Sequence, residues 1–238
     1  MENDWLNNDQ FKIFRGNMSL TVEKRYNEAV SFATAISKDM AWIQANREIL
    51  KHSTDNGIRQ RMVGTYAGNA WITLRRTILN EIHIGLSRVL IDEVKSAVSL
   101  PRLQHLLKDE EMLAYAETKY TQAAGTFKPR LRELKVKLRK LNSAIKAPNS
   151  DLNKLIRHRN QYMAHMAAKK YTGEVKLKWG DEEKLIEIAE CIISPMEHIF
   201  LNVGNRSKST GSAYKTYAKE FWASFHPNGC PDQKSKEE

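Results

Sequence analysis

Apolar residues recur along most of this chain at alternating intervals of three and four. Val22, Tyr26, Ala29, Ala33, Ile36, Met40 and Ile43 make the first series, and a single seam at that spacing predicts a helix from Val22 to about His52. The polar cluster Ser53-Thr54-Asp55-Asn56-Gly57 stops it and offers caps for the next helix. Trp71, Leu74, Ile78, Ile82, Leu86 and Val89 carry a second long helix, which fades after Asp92. Ser99-Leu100-Pro101 opens a third, with proline in the first turn, where its missing N–H costs nothing. Gly125 and Pro129 separate the third helix from a fourth, whose seam is Leu131, Leu134, Leu138, Leu141 and Ile145. Ala147-Pro148-Asn149-Ser150-Asp151 breaks the chain again and starts a fifth helix, expected to reach about Lys169. Residues 174–179 alternate charged and apolar positions, which suits a short strand and an extended loop equally. A sixth helix is expected from Asp181 to about Val203, kinked at Pro195. Tyr214, Tyr217, Phe221 and Phe225 then repeat at helical spacing.

The pattern predicts an all-α protein, an up-down helical bundle of about five to six helices with an extra C-terminal helix. The bundle spans residues 20–203, after a polar leader at 1–19; a linker at 204–212, an aromatic helix at 213–226 and a flexible tail at 227–238 complete the chain. Eleven glycines and six prolines are few for 238 residues, which agrees with long helices and few turns. A hydrophobic fraction of 41% excludes a disordered chain despite a mean hydropathy of −0.57. No apolar run approaches the roughly 18 residues that span a membrane. The acidic, polar start Met1-Glu2-Asn3-Asp4-Trp5 is the wrong chemistry for a secretion signal. Two cysteines, Cys191 and Cys230, make neither a disulfide framework nor a thiolate zinc site, so a cytoplasmic protein with reduced thiols is expected.

Charge changes the picture. The net charge is +10, and between Lys128 and Lys170 stand thirteen Lys or Arg against two acids, Glu133 and Asp151. The rest of the chain is close to neutral. An excess confined to one segment reads as the footprint of a polyanion, against the bland alternative of a solvated helix face. Lys128, Arg130, Arg132, Lys135, Lys137, Arg139, Lys140, Arg157, Lys169 and Lys170 are the candidate electrostatic contacts to such a polyanion.

Phosphate-binding glycine loops, paired-His zinc helices and serine-hydrolase signatures are all missing. Gly64 and Gly68 form a lone Gly-x-x-x-Gly that reads as close packing. The informative stretch runs from Ile156 to His165. On a helical wheel Leu152, Leu155, Ile156, Met163 and Met166 form one apolar arc, with Arg159 at its centre. An inward arginine must be paired or must face a cavity or partner, because burying it alone costs several kcal/mol. Glu81, Arg88 and Asp92, at i, i+7 and i+11 on the second helix, form a polar line that could supply the partner. His165 lies about 120° around and about 9 Å along an unbroken helix from Arg159, so one straight helix does not aim both at one spot. A second copy of the chain would solve that.

Arg159-Asn160, four further residues and His165 resemble the signature of the HEPN superfamily, helical-bundle proteins that are often RNases. Together with Leu86-Ser87-Arg88-Val89-Leu90-Ile91-Asp92 and Ser99-Leu100, the motif is similar to the AbiU-like abortive-infection branch, over residues 20–203. The resemblance implies an endoribonuclease that needs no metal or other cofactor, in which a ribose 2′-hydroxyl attacks the adjacent phosphate. It implies a toxin–antitoxin or phage-defence setting. His165 would be the general base or acid, Arg159 would hold the phosphate, and Asn160 would orient the histidine or the phosphate. One histidine per chain is short for a reaction that needs both acid and base, which again favours a homodimer. The implied partners are RNA, a second copy, and an antitoxin or other regulatory protein, with no membrane.

Two other readings share these residues. In one, the chain binds RNA or DNA without cleaving it. In the other it is an interaction or scaffold subunit in which Arg159 simply pairs with Glu81 or Asp92. The stripe Tyr214, Tyr217, Phe221, Trp222 and Phe225 reads mainly as a face that docks on the bundle, with a base-stacking platform as the alternative. Cys191 reads as inert packing, and His226-Pro227-Asn228-Gly229-Cys230 has too few ligands for a metal.

Overall fold

Thr21 accepts a hydrogen bond from the Lys24 amide and starts α1 (Val22–His52), the spine of the molecule. A computed structural model describes residues 21–94, 97–123, 125–160, 177, 180–204 and 206–224. Among these residues there are nine helices and no strand. The inward seam of α1 is the one its spacing predicts: Ala29, Ala33, Ile36, Met40 and Ile43 are fully buried. Asp55 caps α2 (Asn56–Met62), its carboxylate accepting from the Gly57 amide at 3.1 Å. Gly64, at φ 80°, turns the chain into α3 (Tyr66–Ile91). A Cβ on Gly85 would sit 2.8 Å from the Ile43 side chain, so the bare backbone there lets α3 close on α1.

Ser99 caps α4 (Leu100–Leu106), with Pro101 in its first turn as expected. The expected third helix does not continue. Asp109 accepts from the Met112 amide at 3.0 Å and begins a separate helix, α5 (Glu110–Lys119). Pro129 is not a separator either. It lies in the first turn of α6 (Phe127–Lys146), where no intrahelical bond is lost. Ser150 caps α7 (Asp151–His158), accepting from the Asn153 amide at 3.0 Å. The backbone continues through Arg159 and Asn160 as a π-helical turn. The remainder of that expected helix lies outside the described residues, as do the leader at 1–19 and the tail at 227–238. Of the alternating stretch 174–179 only Leu177 is described, and it is buried.

Gly180, left-handed at φ 100°, leads into α8 (Asp181–Leu201). Pro195 sits inside α8 and cannot bond the Cys191 carbonyl one turn back. Lys137 on α6 supplies the missing donor, its Nζ lying 2.9 Å from that oxygen. The Cys191 side chain is exposed rather than packed, because the buried face of α8 is Leu185, Ile186, Ala189, Ile192, Ile193 and Met196.

The last helix, α9 (Arg206–Ala223), begins inside the stretch expected to be a linker. Glu197, fully buried on α8, accepts from the Arg206 amide at 2.8 Å and from Ser37 of α1 at 2.6 Å. A carboxylate at that position satisfies an orphan N–H and favours the positive end of the helix. α9 then lies along α1 rather than standing apart. Trp222 is wholly buried, donates to the Ile49 carbonyl at 2.8 Å, and joins Ile58, Met62 and Trp71 in a small second core. The main core is shared by α1, α3, α4, α5, α6, α7 and α8. No helix among the described residues is long and apolar enough to cross a membrane.

Candidate functional site

The amphipathic arc of α7 buries Leu152, Leu155 and His158 against its neighbours α3, α6 and α8. Arg159 follows at the edge of this packed face. Its side chain is 33% exposed, and Nη1 forms an ion pair with the Asp92 carboxylate, which is 29% exposed. Asp92 is where α3 ends: the backbone turns extended there, and the Asp92 carbonyl accepts from the Ser99 hydroxyl. Both ends of the pair are thus fixed by a helix terminus. The Arg159 Nε lies 3.4 Å from Asn160 Oδ1. No hydrogen bond from Nη2 is found among the described residues.

The polar line on α3 does not act as a unit. Only Asp92 meets Arg159. Glu81 is exposed, and Arg88 turns to Asp39 of α1 at 3.4 Å. The cause is phase: Asp92 leaves the helix, and its carboxylate is no longer bound to the row that Glu81 and Arg88 occupy. His165 lies outside the described residues, as do Lys169, Lys170, Met163 and Met166. The offset of about 120° between Arg159 and His165 assumes an unbroken α-helix. The backbone is π-helical at Arg159 and Asn160, and its path from there to His165 lies outside the described residues.

Two histidines that the sequence pattern does not single out belong to this region. His83 of α3 and His158 of α7, the residue before Arg159, meet edge to face, ring centroids 4.9 Å apart. Both are buried. Burial pushes the His83 imidazole down to about 4, helped by the neighbouring His158 and opposed by Asp181. Burial lowers His158 as well. A signal for His158 exists in the sequence: it stands three residues after Leu155 on the buried arc. His83 has none, because only the crossing of α3 and α7 brings it to His158.

The cations of the basic segment separate into engaged and open groups. Lys137 is held between Glu133 and the Cys191 carbonyl; burial alone would lower its ammonium, but these two partners hold it above the ordinary lysine range. Arg130 pairs with Glu133 at 3.3 Å, Lys128 with Glu117 at 3.6 Å and Lys135 with Glu110 at 3.5 Å. Arg132, Arg139, Lys140 and Arg157 are exposed and form no ion pair with any described residue. Lys128, Arg132, Lys137 and Lys140 line an open groove of about 570 Å³ along the outer side of α6.

A helical bundle that presents an Arg-Asn pair at the end of a late helix, beside a basic face, has the architecture of a HEPN domain. The chain matches the AbiU2 family of these domains over residues 26–221 and belongs to it. The match runs beyond residue 203 and takes in most of α9, in agreement with the docking of that helix on α1. Neither the curated proteins nor the solved structures contain a match to this chain.

Proposed function

We propose that this protein is an endoribonuclease of the HEPN type, acting in abortive infection or a related toxin–antitoxin setting. The observation that carries the reading is the state of Arg159. Its guanidinium is anchored by one carboxylate, Asp92, yet a third of the side chain is exposed, and Nη2 has no partner among the described residues, which leaves it for a second anion. A purely structural arginine is expected to be enclosed and fully paired. A phosphate is the natural second anion, and the open cations of α6 and α7 would draw a polyanion to it.

In this mechanism Asp92 positions Arg159, and Arg159 holds the scissile phosphate and offsets charge developing on its oxygens. Asn160 orients the phosphate or the histidine by hydrogen bonding. His165 takes the proton of the ribose 2′-hydroxyl or gives one to the leaving 5′-oxygen. A second copy of the chain supplies the other histidine, so the active form is a homodimer. The products are a 2′,3′-cyclic phosphate and a 5′-hydroxyl. The Arg159–Asp92 pair also favours a second reading, a scaffold subunit in which that pair is only structural.

One assay separates them. Purified protein incubated with mixed RNA in EDTA should cleave it, and His165→Ala should lower the rate by roughly 10²–10⁴ while binding survives. Unchanged RNA, or activity lost in EDTA and restored by Mg²⁺, would overturn the mechanism.

A further inference from the structure

The aromatic stripe of α9 divides on docking. Ala218 and Trp222 turn inward, while Tyr217 and Phe221 stay 63% and 44% exposed. With Tyr214 they form one wall of a groove of about 380 Å³, closed on the other side by Leu74 and Ile78 of α3. Tyr214 and Tyr217 stand edge to face, centroids 5.9 Å apart. Asn46 of α1 lies at its floor. That residue is 7% exposed, and its Nδ2 has no hydrogen-bond partner among the described residues. A buried amide donor without a partner is costly, and here it borders an otherwise apolar cleft of small-ligand size.

We propose that this groove binds an unpaired nucleobase of a single-stranded nucleic acid. A flat heteroaromatic ring stacks on Tyr217 and Phe221, and a ring nitrogen or carbonyl oxygen accepts from Asn46 Nδ2 once that enclosed amide rotates towards the groove. An aliphatic side chain would fill the apolar walls but leave the Asn46 amide unmet. The charge of the flanking helix turns is on balance positive: Arg76, Lys215 and Lys219 are exposed there, against the acids Glu81 and Glu220. Ile78 lies about 21 Å along α3 from Asp92 by helical rise, so the groove is a second contact, away from the reacting phosphate. That the strand is RNA rests on the ribonuclease reading; the demand for an unpaired base does not.

The test uses full-length protein carrying His165→Ala, to prevent cleavage, and fluorescein-labelled single-stranded RNA ten-mers read by anisotropy. One ten-mer has all its bases; the other has the same backbone with four central abasic sites. The base-bearing strand should bind at least about fivefold tighter, the smaller end of what one aromatic stack provides. Tyr217→Ala and Phe221→Ala, both at exposed positions, should each erase most of that difference. Equal affinity for the two strands, or variants that keep the full difference, would overturn the proposal. If the wild-type protein cleaves RNA while the groove variants discriminate normally, only the groove proposal falls. If base-dependent binding is found in a protein that does not cleave, only the ribonuclease reading falls.

Discussion

His83 is held neutral by the packing of α3 against α7, and that has a consequence for pH. The unfolded chain takes up a proton at its ordinary value near 6.5, whereas the folded imidazole does so only near 4. Above pH 6.5 neither state is protonated and the protein keeps its full stability. As pH falls from 6.5 towards 4 the unfolded state gains the proton first, so stability is lost across that window. His83 alone should cost about 2 kcal/mol between pH 7 and pH 5, and His158 adds to it with the same sign. Urea unfolding at the two pH values would measure the loss, and His83→Leu should flatten it. An unchanged slope in that variant would place the pH dependence elsewhere.

The decisive element is α6, because its cations do two kinds of work. Lys137 spans to α8 and fills the hydrogen bond that Pro195 leaves open, so it belongs to the packing of the bundle. Arg132, Arg139 and Lys140 face outward without ion pairs among the described residues and are available to phosphates. Replacing these three with Gln should weaken RNA binding and reduce its salt slope by up to about two units, with turnover at saturating RNA little changed. Lys137→Met should do the opposite: the salt slope stays and the midpoint of thermal unfolding falls. Binding titrations at several salt concentrations, set beside melting curves, read both. A salt slope that drops equally in Lys137→Met would show that lysine reaching RNA after all.

At the scale of the whole molecule, the question is whether one chain holds a complete site. If the dimer builds each site from the Arg159 of one chain and the His165 of the other, two inactive variants can complement. Mixing Arg159→Ala with His165→Ala chains, unfolded and refolded together, should recover about a quarter of wild-type activity, since half the dimers are mixed and each mixed dimer has one intact site. No recovery, with light scattering showing a dimer, would mean either that each chain supplies its own pair or that one site needs the histidines of both chains, as the acid–base scheme proposed above does. A fully active monomer would remove the dimer from the mechanism.

What the sequence determined by itself is what local periodicity and caps can encode. The seams of α1, α3 and α6, the caps at Ser53, Ser99 and Ser150, and the basic segment around Arg159 are all readable from spacing and side-chain type, because each depends on residues within a turn or two of one another. The family was legible for the same reason, its motif being short and contiguous. Tertiary structure decided which long-range partners those elements found. Nothing in the spacing of Glu81, Arg88 and Asp92 separates the three. Asp92 alone meets Arg159, because it lies where α3 gives way to extended chain. Likewise His83 meets His158, Lys137 leaves the open set, and α9 starts at Arg206, each through a contact with a helix far away in sequence. A periodic pattern states which face of a helix is apolar; only the packed bundle states what that face, and the polar residues at its rim, are packed against.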